Sequence, residues 1–108
     1  MSAALVYITC GDKAEAERVG QALVEEGLAA CVNIVDGMQS MFWWQGKAET
    51  DQETVLLAKT RTALVERLTE KVRSVHSYDC PCVVALPIID GNPEFLHWIQ
   101  EQTRDSGS

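Results

Sequence analysis

Two different spacings of hydrophobic residues alternate along the chain, and they predict strands and helices in turn. Residues 4–9 form an apolar run of β-favouring side chains, which is typical of a strand. After Gly11, Asp12 and Glu15 have the spacing of a helix-capping box. The apolar residues that follow have helical spacing and predict a helix up to Gly27: Ala16, Val19, Ala22 and Leu23.

The middle of the chain predicts an unusually long β-hairpin. Residues 28–35 form a second strand, Asp36-Gly37 is a bend or a β-bulge, and residues 41–44 continue in extended conformation. The tripeptide 45–47 is typical of a turn, after which residues 48–59 return as the third strand. This hairpin extends further than a four-stranded sheet requires.

A second helix is predicted after the hairpin. Either Thr60 or Thr62 can supply its N-cap. The apolar positions that follow lie on one face of a helix: Leu64, Val65, Leu68, Val72 and Val75. His76 falls in the last turn of this helix, and residues 78–81 form a loop.

The remaining residues predict one more strand and one more helix. Residues 83–89 form the fourth strand, in which Pro87 indicates an edge or a bulge. Asn92 and the proline after it begin a last helix, with Phe95, Trp98 and Ile99 on its inner face. We expect residues 103–108 to form a disordered tail.

This order of elements predicts an α+β fold of the ferredoxin-like type. Right-handed crossovers fold the order βαββαβ into a four-stranded antiparallel sheet with strand order 4-1-3-2, extended here by a C-terminal helix and the long hairpin. The length of 108 residues fits a single domain over residues 1–108, and 46% hydrophobic and 23% charged residues are typical of a globular protein. The fold alone decides no function, since it hosts many.

The charge balance excludes some classes of partner. Sixteen acidic residues against nine Lys and Arg give a net charge of −7, which argues against a nucleic acid or an anionic membrane as partner. No apolar run approaches the ~20 residues of a membrane helix, and the N-terminus does not resemble a signal peptide. We therefore expect a cytoplasmic protein whose four cysteines are reduced.

The predicted topology brings several potential metal ligands to one edge of the sheet. These residues lie at the end of the first strand, at the end of the second helix and at the start of the fourth strand: Cys10, His76, Cys80 and Cys82. Thiolate and imidazole are ligands that copper and zinc prefer. Cys31 begins the second strand at the opposite edge, so we expect it to lie far away and to be a core residue.

The Cys80-Pro81-Cys82 motif has i, i+2 spacing, so both sulfurs point to one side of an extended chain. This is not the spacing of zinc fingers. The alternative for these residues is structural: Cys82 is a small core residue, Cys80 a loop residue, and His76 interacts favourably with the C-terminal end of its helix. The sequence leaves both interpretations open.

Four large apolar residues lie near the tip of the predicted hairpin, where one protomer cannot cover all of them. Aromatic residues and methionine are enriched at subunit interfaces, and exposed apolar patches mark such surfaces. We therefore predict that a subunit interface is formed by Met41, Phe42, Trp43 and Trp44.

A series of short motifs runs through residues 4–100 in a fixed order. They are Leu28-Ala-Ala-Cys-Val-Asn-Ile34, Ser40, Trp44-x-Gly46-Lys47, Lys59-Thr60, His76-x-Tyr78-x-x-Pro81, Leu86-Pro87-Ile88 and Trp98-Ile99. Together they resemble the CutA divalent-cation tolerance proteins. The resemblance implies a ferredoxin-like fold, a tight homotrimer, a cytoplasmic setting in bacteria, and a role in the response to divalent metal ions with copper binding in some members. It implies no catalytic activity.

The resemblance also implies part of a metal site. In some family members, a cysteine at the end of the first strand binds metal together with histidines before the Tyr loop, and Cys10 and His76 match those positions. The residue before His76 is Val75, so a second histidine is absent. Cys82 stands where the family usually has glutamate, and its thiol favours softer ions. The predicted ligands are therefore Cys10, His76 and Cys82, with copper or a similar ion.

Three functional hypotheses follow. The first is a trimeric cytoplasmic protein of the divalent metal ion response that binds copper. The second is a trimeric small-molecule sensor or interaction module with ligands between subunits. The third is a thiol enzyme that uses Cys10 or Cys82. We favour the first and predict no enzyme, since no third group to orient a Cys–His pair and no phosphate-binding glycine loop is evident in the sequence.

Overall fold

Four strands and three α-helices follow one another in residues 2–104, which are the part of the chain that the computed structural model describes. The order of these elements is the predicted one. A 3₁₀ turn, Thr62–Leu64, precedes the second helix. The strands and helices are β1 (Ala3–Cys10), α1 (Lys13–Glu25), β2 (Cys31–Trp44), β3 (Lys47–Arg61), α2 (Val65–Val75), β4 (Val83–Ile88) and α3 (Pro93–Gln102).

The strands form one antiparallel sheet with the order β2-β3-β1-β4, which confirms the predicted topology and the α+β class. The central strand β1 pairs with β3 from Ala3↔Arg61 to Cys10↔Thr54. Its other side pairs with β4, which is an edge strand. Pro87 lies in β4, as expected for a residue that has no N–H to donate to a second neighbour.

The main core lies between one face of the sheet and the first two helices. Alternate residues of β1 point to this face because side chains alternate along a strand, and Val6, Ile8 and Cys10 are all fully buried there. Leu23 of α1 and Leu68 of α2 pack in the same cluster. The end of β1 therefore delivers Cys10 into the interior, directly beneath the helices.

The predicted long hairpin is present. β2 and β3 remain paired to Trp44↔Lys47, and the molecule extends to 44 Å along its longest axis. The register shifts between Val35 and Met38, where Gly37 has a φ of 76°, so the predicted bulge is confirmed. The two residues at the tip, Gln45 and Gly46, both have positive φ, as a tight two-residue hairpin connection requires.

Of the caps predicted for the first two helices, one is confirmed and one is wrong. Asp12 caps α1 as predicted, since its Oδ1 accepts a hydrogen bond from the Glu15 N–H at 2.8 Å. The predicted cap of α2 is wrong, because neither the 3₁₀ turn nor α2 has a side-chain cap hydrogen bond. Thr60 is still part of β3, and its buried hydroxyl donates to the Leu28 carbonyl at 2.7 Å. It joins the sheet to the loop after α1 instead of capping a helix.

The inner face of α3 differs from the prediction. Ile99 is fully buried and packs with Ala3 and Leu96, whereas Phe95 and Trp98 are 41% and 37% exposed. Phe95 and Trp98 contact each other, with ring centroids 5.5 Å apart. Leu96 and Ile99 pack against the sheet, whereas the two aromatic rings are only partly covered, and Lys59 Nζ of β3 lies 6.0 Å from the centroid of the Phe95 ring.

Two residues after α3 were predicted to belong to a disordered tail but are packed against the rest of the protein. Thr103 is buried, and its hydroxyl accepts a hydrogen bond from Arg61 Nε at 2.8 Å. The backbone N–H of Arg104 donates to the Gly27 carbonyl at 2.8 Å. The rest of the predicted tail, residues 105–108, lies outside the described residues.

None of the helices in residues 2–104 combines the length and the apolar character that crossing a bilayer requires.

Candidate metal centre

Three potential metal ligands meet where β1 ends and the two main helices approach it. The Cys10 sulfur, a carboxylate oxygen of Glu15 and an imidazole nitrogen of His76 all lie within 4.8 Å of one another. The cluster is enclosed, since Cys10 and the His76 side chain are fully buried and Glu15 is only 4% exposed. The structure therefore brings together Cys10 and His76, as the sequence predicted, and adds Glu15.

Glu15 reaches the cluster because α1 begins immediately after β1. Its Oε1 accepts a hydrogen bond from the Gly11 N–H at 2.9 Å, while its own N–H binds the Asp12 side chain. This resembles a capping box in which the glutamate reaches one residue further back than usual. The carboxylate is thereby held beside Cys10, the residue before Gly11.

The same carboxylate also binds a distant segment. Glu15 Oε2 accepts a hydrogen bond from the Ser77 N–H at 2.8 Å, and the Arg18 guanidinium lies 3.3 Å away. Burial acts to raise the pKa of Glu15, but the hydrogen bonds from Gly11 and Ser77 and the nearby His76 outweigh it and lower the pKa. Glu15 is therefore a carboxylate at neutral pH.

Both ring nitrogens of His76 have partners. Nδ1 accepts a hydrogen bond from the Tyr78 N–H at 3.0 Å, and Nε2 lies 2.7 Å from the Thr9 carbonyl oxygen, to which it must donate. This network assigns the neutral Nε2–H tautomer. Nε2 also lies 3.8 Å from Glu15 Oε1. An ion at Nε2 would replace the bond to Thr9.

The Cys10 thiol is protonated in this environment. Burial, followed by the negative charge of Glu15, raises the pKa of Cys10 to about 12. Because a thiolate is the form that binds metal, an ion must displace this proton. The bound cation would supply the positive charge that the buried thiolate otherwise lacks.

Tyr78 covers the outer side of the cluster. Its ring packs against the His76 ring with centroids 4.6 Å apart, and its hydroxyl donates to Glu53 Oε2 at 3.0 Å. Burial and then the Glu53 carboxylate raise the pKa of Tyr78, so the hydroxyl keeps its proton and the bond to β3 is maintained. This contact fixes the loop after α2 against the sheet.

The third predicted ligand, Cys82, is not part of the cluster. Its side chain is exposed, and its backbone carbonyl accepts the Thr9 N–H at 3.4 Å. The register pairs Ile8 with Val83, so Cys82 falls opposite Thr9, and paired residues point to the same side of a sheet. Cys82 is therefore on the side away from Cys10.

The other two cysteines also lie outside the centre. Cys80 is exposed in the loop before β4. Cys31 begins β2 at the far edge of the sheet, as predicted, but it is only partly buried, and Lys59 Nζ lies 3.7 Å from its sulfur. The core position predicted for Cys31 is therefore wrong, because its side chain faces a lysine.

Sequence analysis missed Glu15 as a member of the centre. Its capping-box spacing identified it as a helix cap, and that spacing also places a carboxylate within one turn of the end of β1. The signal that could have found it is the closeness of Cys10 and Glu15 in the sequence. The contact with Ser77, 62 residues away, has no sequence signal.

The four residues of the predicted interface are exposed in the protomer. They occupy the end of the hairpin, and their exposed fractions are 75% for Met41, 40% for Phe42, 74% for Trp43 and 59% for Trp44. A patch of this size and composition is typical of a surface that another chain covers.

Comparisons with known proteins agree on one family. Residues 4–102 match the family model described as CutA1 divalent ion tolerance protein. The chloroplastic protein CutA 1 of Oryza sativa subsp. japonica is 47% identical over 102 residues, which are 94% of this chain and 58% of that protein. The divalent-cation tolerance protein CutA of Thermus thermophilus is 48% identical over 99 residues, which are 92% of this chain and 96% of that protein.

Solved structures agree with the sequence comparisons. The crystal structure of CutA1 from Oryza sativa superposes with a TM-score of 0.95 at 45% identity, covering 98% of this chain and 97% of that chain. The present chain spans a little over half of the full rice protein and nearly all of the Thermus protein.

Proposed function

The chain belongs to the CutA1 divalent ion tolerance protein family, and from this premise we propose that it takes part in the response to divalent metal ions by binding copper. The observation that carries this proposal is the convergence of a thiol, a carboxylate and an imidazole within 4.8 Å. The ligands are Cys10, Glu15 and His76, with Glu15 taking the place that the sequence assigned to Cys82.

The donor set fits copper. Sulfur and imidazole nitrogen are ligands that copper prefers over hard cations such as Mg²⁺, which are bound by oxygen. Cys10 and His76 supply those two donors, and Glu15 supplies a negative charge that is already ionised. When bound, copper would take the position between these groups and displace the Cys10 proton.

The test is an anaerobic copper titration of purified, untagged protein in which Cys80→Ser and Cys82→Ser have removed the two exposed thiols, so that the buried centre is measured alone. We expect Cys10→Ala and His76→Ala each to weaken copper binding by at least about tenfold, since ligands contribute more than the supporting groups whose loss costs ~10–100-fold. Cys31→Ala is the matched control, because it removes a thiol outside the cluster. If either ligand variant keeps a copper affinity within about twofold of the parent that lacks the two exposed thiols, the proposal is contradicted.

We propose that the chain acts as a homotrimer. The exposed hairpin patch, Met41 to Trp44, and the outer edge of β4 support self-association, because open edges and apolar patches favour pairing. The number three comes from the family resemblance. Light scattering should give three times the protomer mass of 11.9 kDa, and a stable monomer at micromolar concentration would exclude this assembly.

We propose a binding role rather than a catalytic one, in the cytoplasm. A buried Cys10 thiol with its pKa raised to about 12 is a poor nucleophile. Cysteines 10, 31, 80 and 82 are all unpaired, which suits a reducing compartment. Fractionation of cells that express the full chain would test the location, and recovery in a membrane or secreted fraction would contradict it.

A further inference from the structure

Two exposed thiols lie close together and have no part in the proposed copper centre. Cys80 and Cys82 are both exposed and unpaired, with only Pro81 between them. They differ in this from the fully buried Cys10 and the partly buried Cys31. Two accessible thiols that are two residues apart differ from a single surface cysteine, because both sulfurs can bind the same metal ion.

The surrounding backbone keeps the two thiols within reach of each other. Two residues span at most about 7 Å between Cα atoms, and each side chain adds further reach. Pro81 has a restricted φ and also limits the residue before it, so the motif samples few backbone conformations. One end of the motif is anchored, since the Thr9 N–H donates to the Cys82 carbonyl at 3.4 Å.

The register explains why this pair is separate from Cys10. Cys82 lies opposite Thr9, on the side of the sheet away from Cys10. Cys80 lies in the bend before β4, two residues from Cys82, and is not a member of the Cys10 cluster among the described residues. In the single protomer the pair is exposed to solvent, so an ion can reach it there without any opening of the core.

We propose that Cys80 and Cys82 form a second, surface site that binds one soft, thiophilic ion of the Cu(I) type through both sulfurs. Two thiolates select Cu(I) over hard ions and over ions that require a full shell of nitrogen or oxygen donors. The reaction releases two protons to solvent as two S–H bonds are replaced by two Cu–S bonds. The copper stays Cu(I), so no oxidant or reductant is needed.

The first experiment isolates this site from the centre that we proposed above. Cu(I) is titrated anaerobically into the full-length Cys10→Ala variant in competition with a chromophoric Cu(I) chelator. We expect tight binding of one ion per protomer, and a loss of at least about tenfold in affinity when Cys80→Ser or Cys82→Ser is added. Cys31→Ser added to the same Cys10→Ala variant should leave the Cu(I) affinity unchanged. Absence of Cu(I) binding by Cys10→Ala would overturn the surface site whatever the fate of the buried centre.

The second experiment leaves the core untouched, in case Cys10→Ala impairs folding. Phenylarsine oxide condenses with two neighbouring thiols, forming two As–S bonds and releasing water. Intact-mass spectrometry of otherwise wild-type protein should show one adduct per protomer. The adduct should be lost in Cys80→Ser and in Cys82→Ser and kept in Cys31→Ser. An adduct that persists in either of the first two variants would overturn the proposal.

Discussion

At the scale of single residues, one carboxylate connects three parts of the fold. Glu15 binds the N–H groups of Gly11 and Ser77 and lies beside His76, so the end of β1, the start of α1 and the loop after α2 all depend on it. Hydrogen bonds to an ionised acceptor each contribute about 1.5–3 kcal/mol to stability, and Glu15 accepts two such bonds from the backbone. Glu15 is therefore important for stability as well as for the proposed copper centre.

The first prediction concerns the dependence of stability on pH. The pKa of Glu15 is lower in the folded state than in the unfolded state. The ionised carboxylate therefore contributes its full stabilisation of the fold above the unfolded pKa of ~4.3, and this stabilisation is lost as the pH falls through the folded-state pKa. We expect Glu15→Gln to lower the free energy of unfolding by about 1–2 kcal/mol at pH 7. The difference in free energy of unfolding between Glu15→Gln and wild type should become smaller below about pH 4. Denaturant unfolding of the two proteins measures this.

The control for this prediction is Glu17→Gln, which removes an exposed carboxylate from the same helix. We expect that substitution to change stability by less than about 0.5 kcal/mol at either pH. A Glu15→Gln deficit that stays constant from neutral to acid pH would contradict the assigned role of the ionised carboxylate.

The second prediction concerns the proton on Cys10. Since its pKa is raised to about 12, each bound ion must displace one thiol proton at all ordinary pH values. The copper affinity of this centre should rise about tenfold per pH unit between roughly pH 7 and 9. The measurement uses Cys80→Ser/Cys82→Ser protein, so that the exposed thiol pair cannot bind copper. An affinity that does not change with pH would exclude Cys10 as a thiolate ligand.

At the scale of elements, α3 shows how an amphipathic pattern can be assigned to the wrong side of a helix. Phe95, Trp98 and Ile99 are all apolar and near one another on the helix surface, but only Ile99 is buried. Leu96, which is smaller than either aromatic residue, packs beside Ile99 and against Ala3 of β1. Residue size does not decide which side of a helix docks, since the shape of the receiving surface does.

The third prediction follows from this orientation. Ile99→Ala should lower the free energy of unfolding by about 2–4 kcal/mol, because it creates a cavity in a fully buried position. Trp98→Ala should cost less in the isolated protomer, although tryptophan is the larger residue, because its side chain is more than one third exposed. The free energies of unfolding of the two variants are compared by thermal or denaturant unfolding, under conditions that dissociate any oligomer. The reverse ranking would mean that α3 docks through its aromatic side.

At the scale of the whole molecule, the hairpin arm accounts for the elongated shape. The paired part of β2 and β3 beyond the bulge carries large apolar residues that are exposed in the protomer. An exposed set such as Met41, Trp43 and Trp44 is costly for a free protomer and useful for an assembly. The arm is therefore where we expect one protomer to contact another.

The fourth prediction tests this at the level of assembly. Trp44→Ala should weaken the proposed trimer by about 2 kcal/mol or more, as truncation of a hot-spot aromatic does. Dissociation measured by concentration-dependent light scattering gives the value. Glu17→Ala, on the helical side, should leave dissociation unchanged. If Trp44→Ala dissociates like wild type, Trp44 is not an anchor of the interface.

The sequence by itself determined the element order, the sheet order, the bulge and the long hairpin. These features depend on local signals, namely the period of apolar residues, the glycines at turn positions and the short connections that restrict topology. It also brought Cys10 and His76 together, because strand direction and helix length decide which ends of elements meet. The resemblance to a family supported the same pair.

Only the tertiary structure decided which other side chain joins Cys10 and His76 and which predicted one does not. Cys82 was predicted at the correct edge of the sheet but lies on the side away from Cys10, since a shift of one residue in register reverses the side. Thr60 was available as a cap and instead binds the Leu28 carbonyl. Glu15 joins Ser77 across 62 residues, and such a contact depends on how two helices pack, which no local pattern encodes.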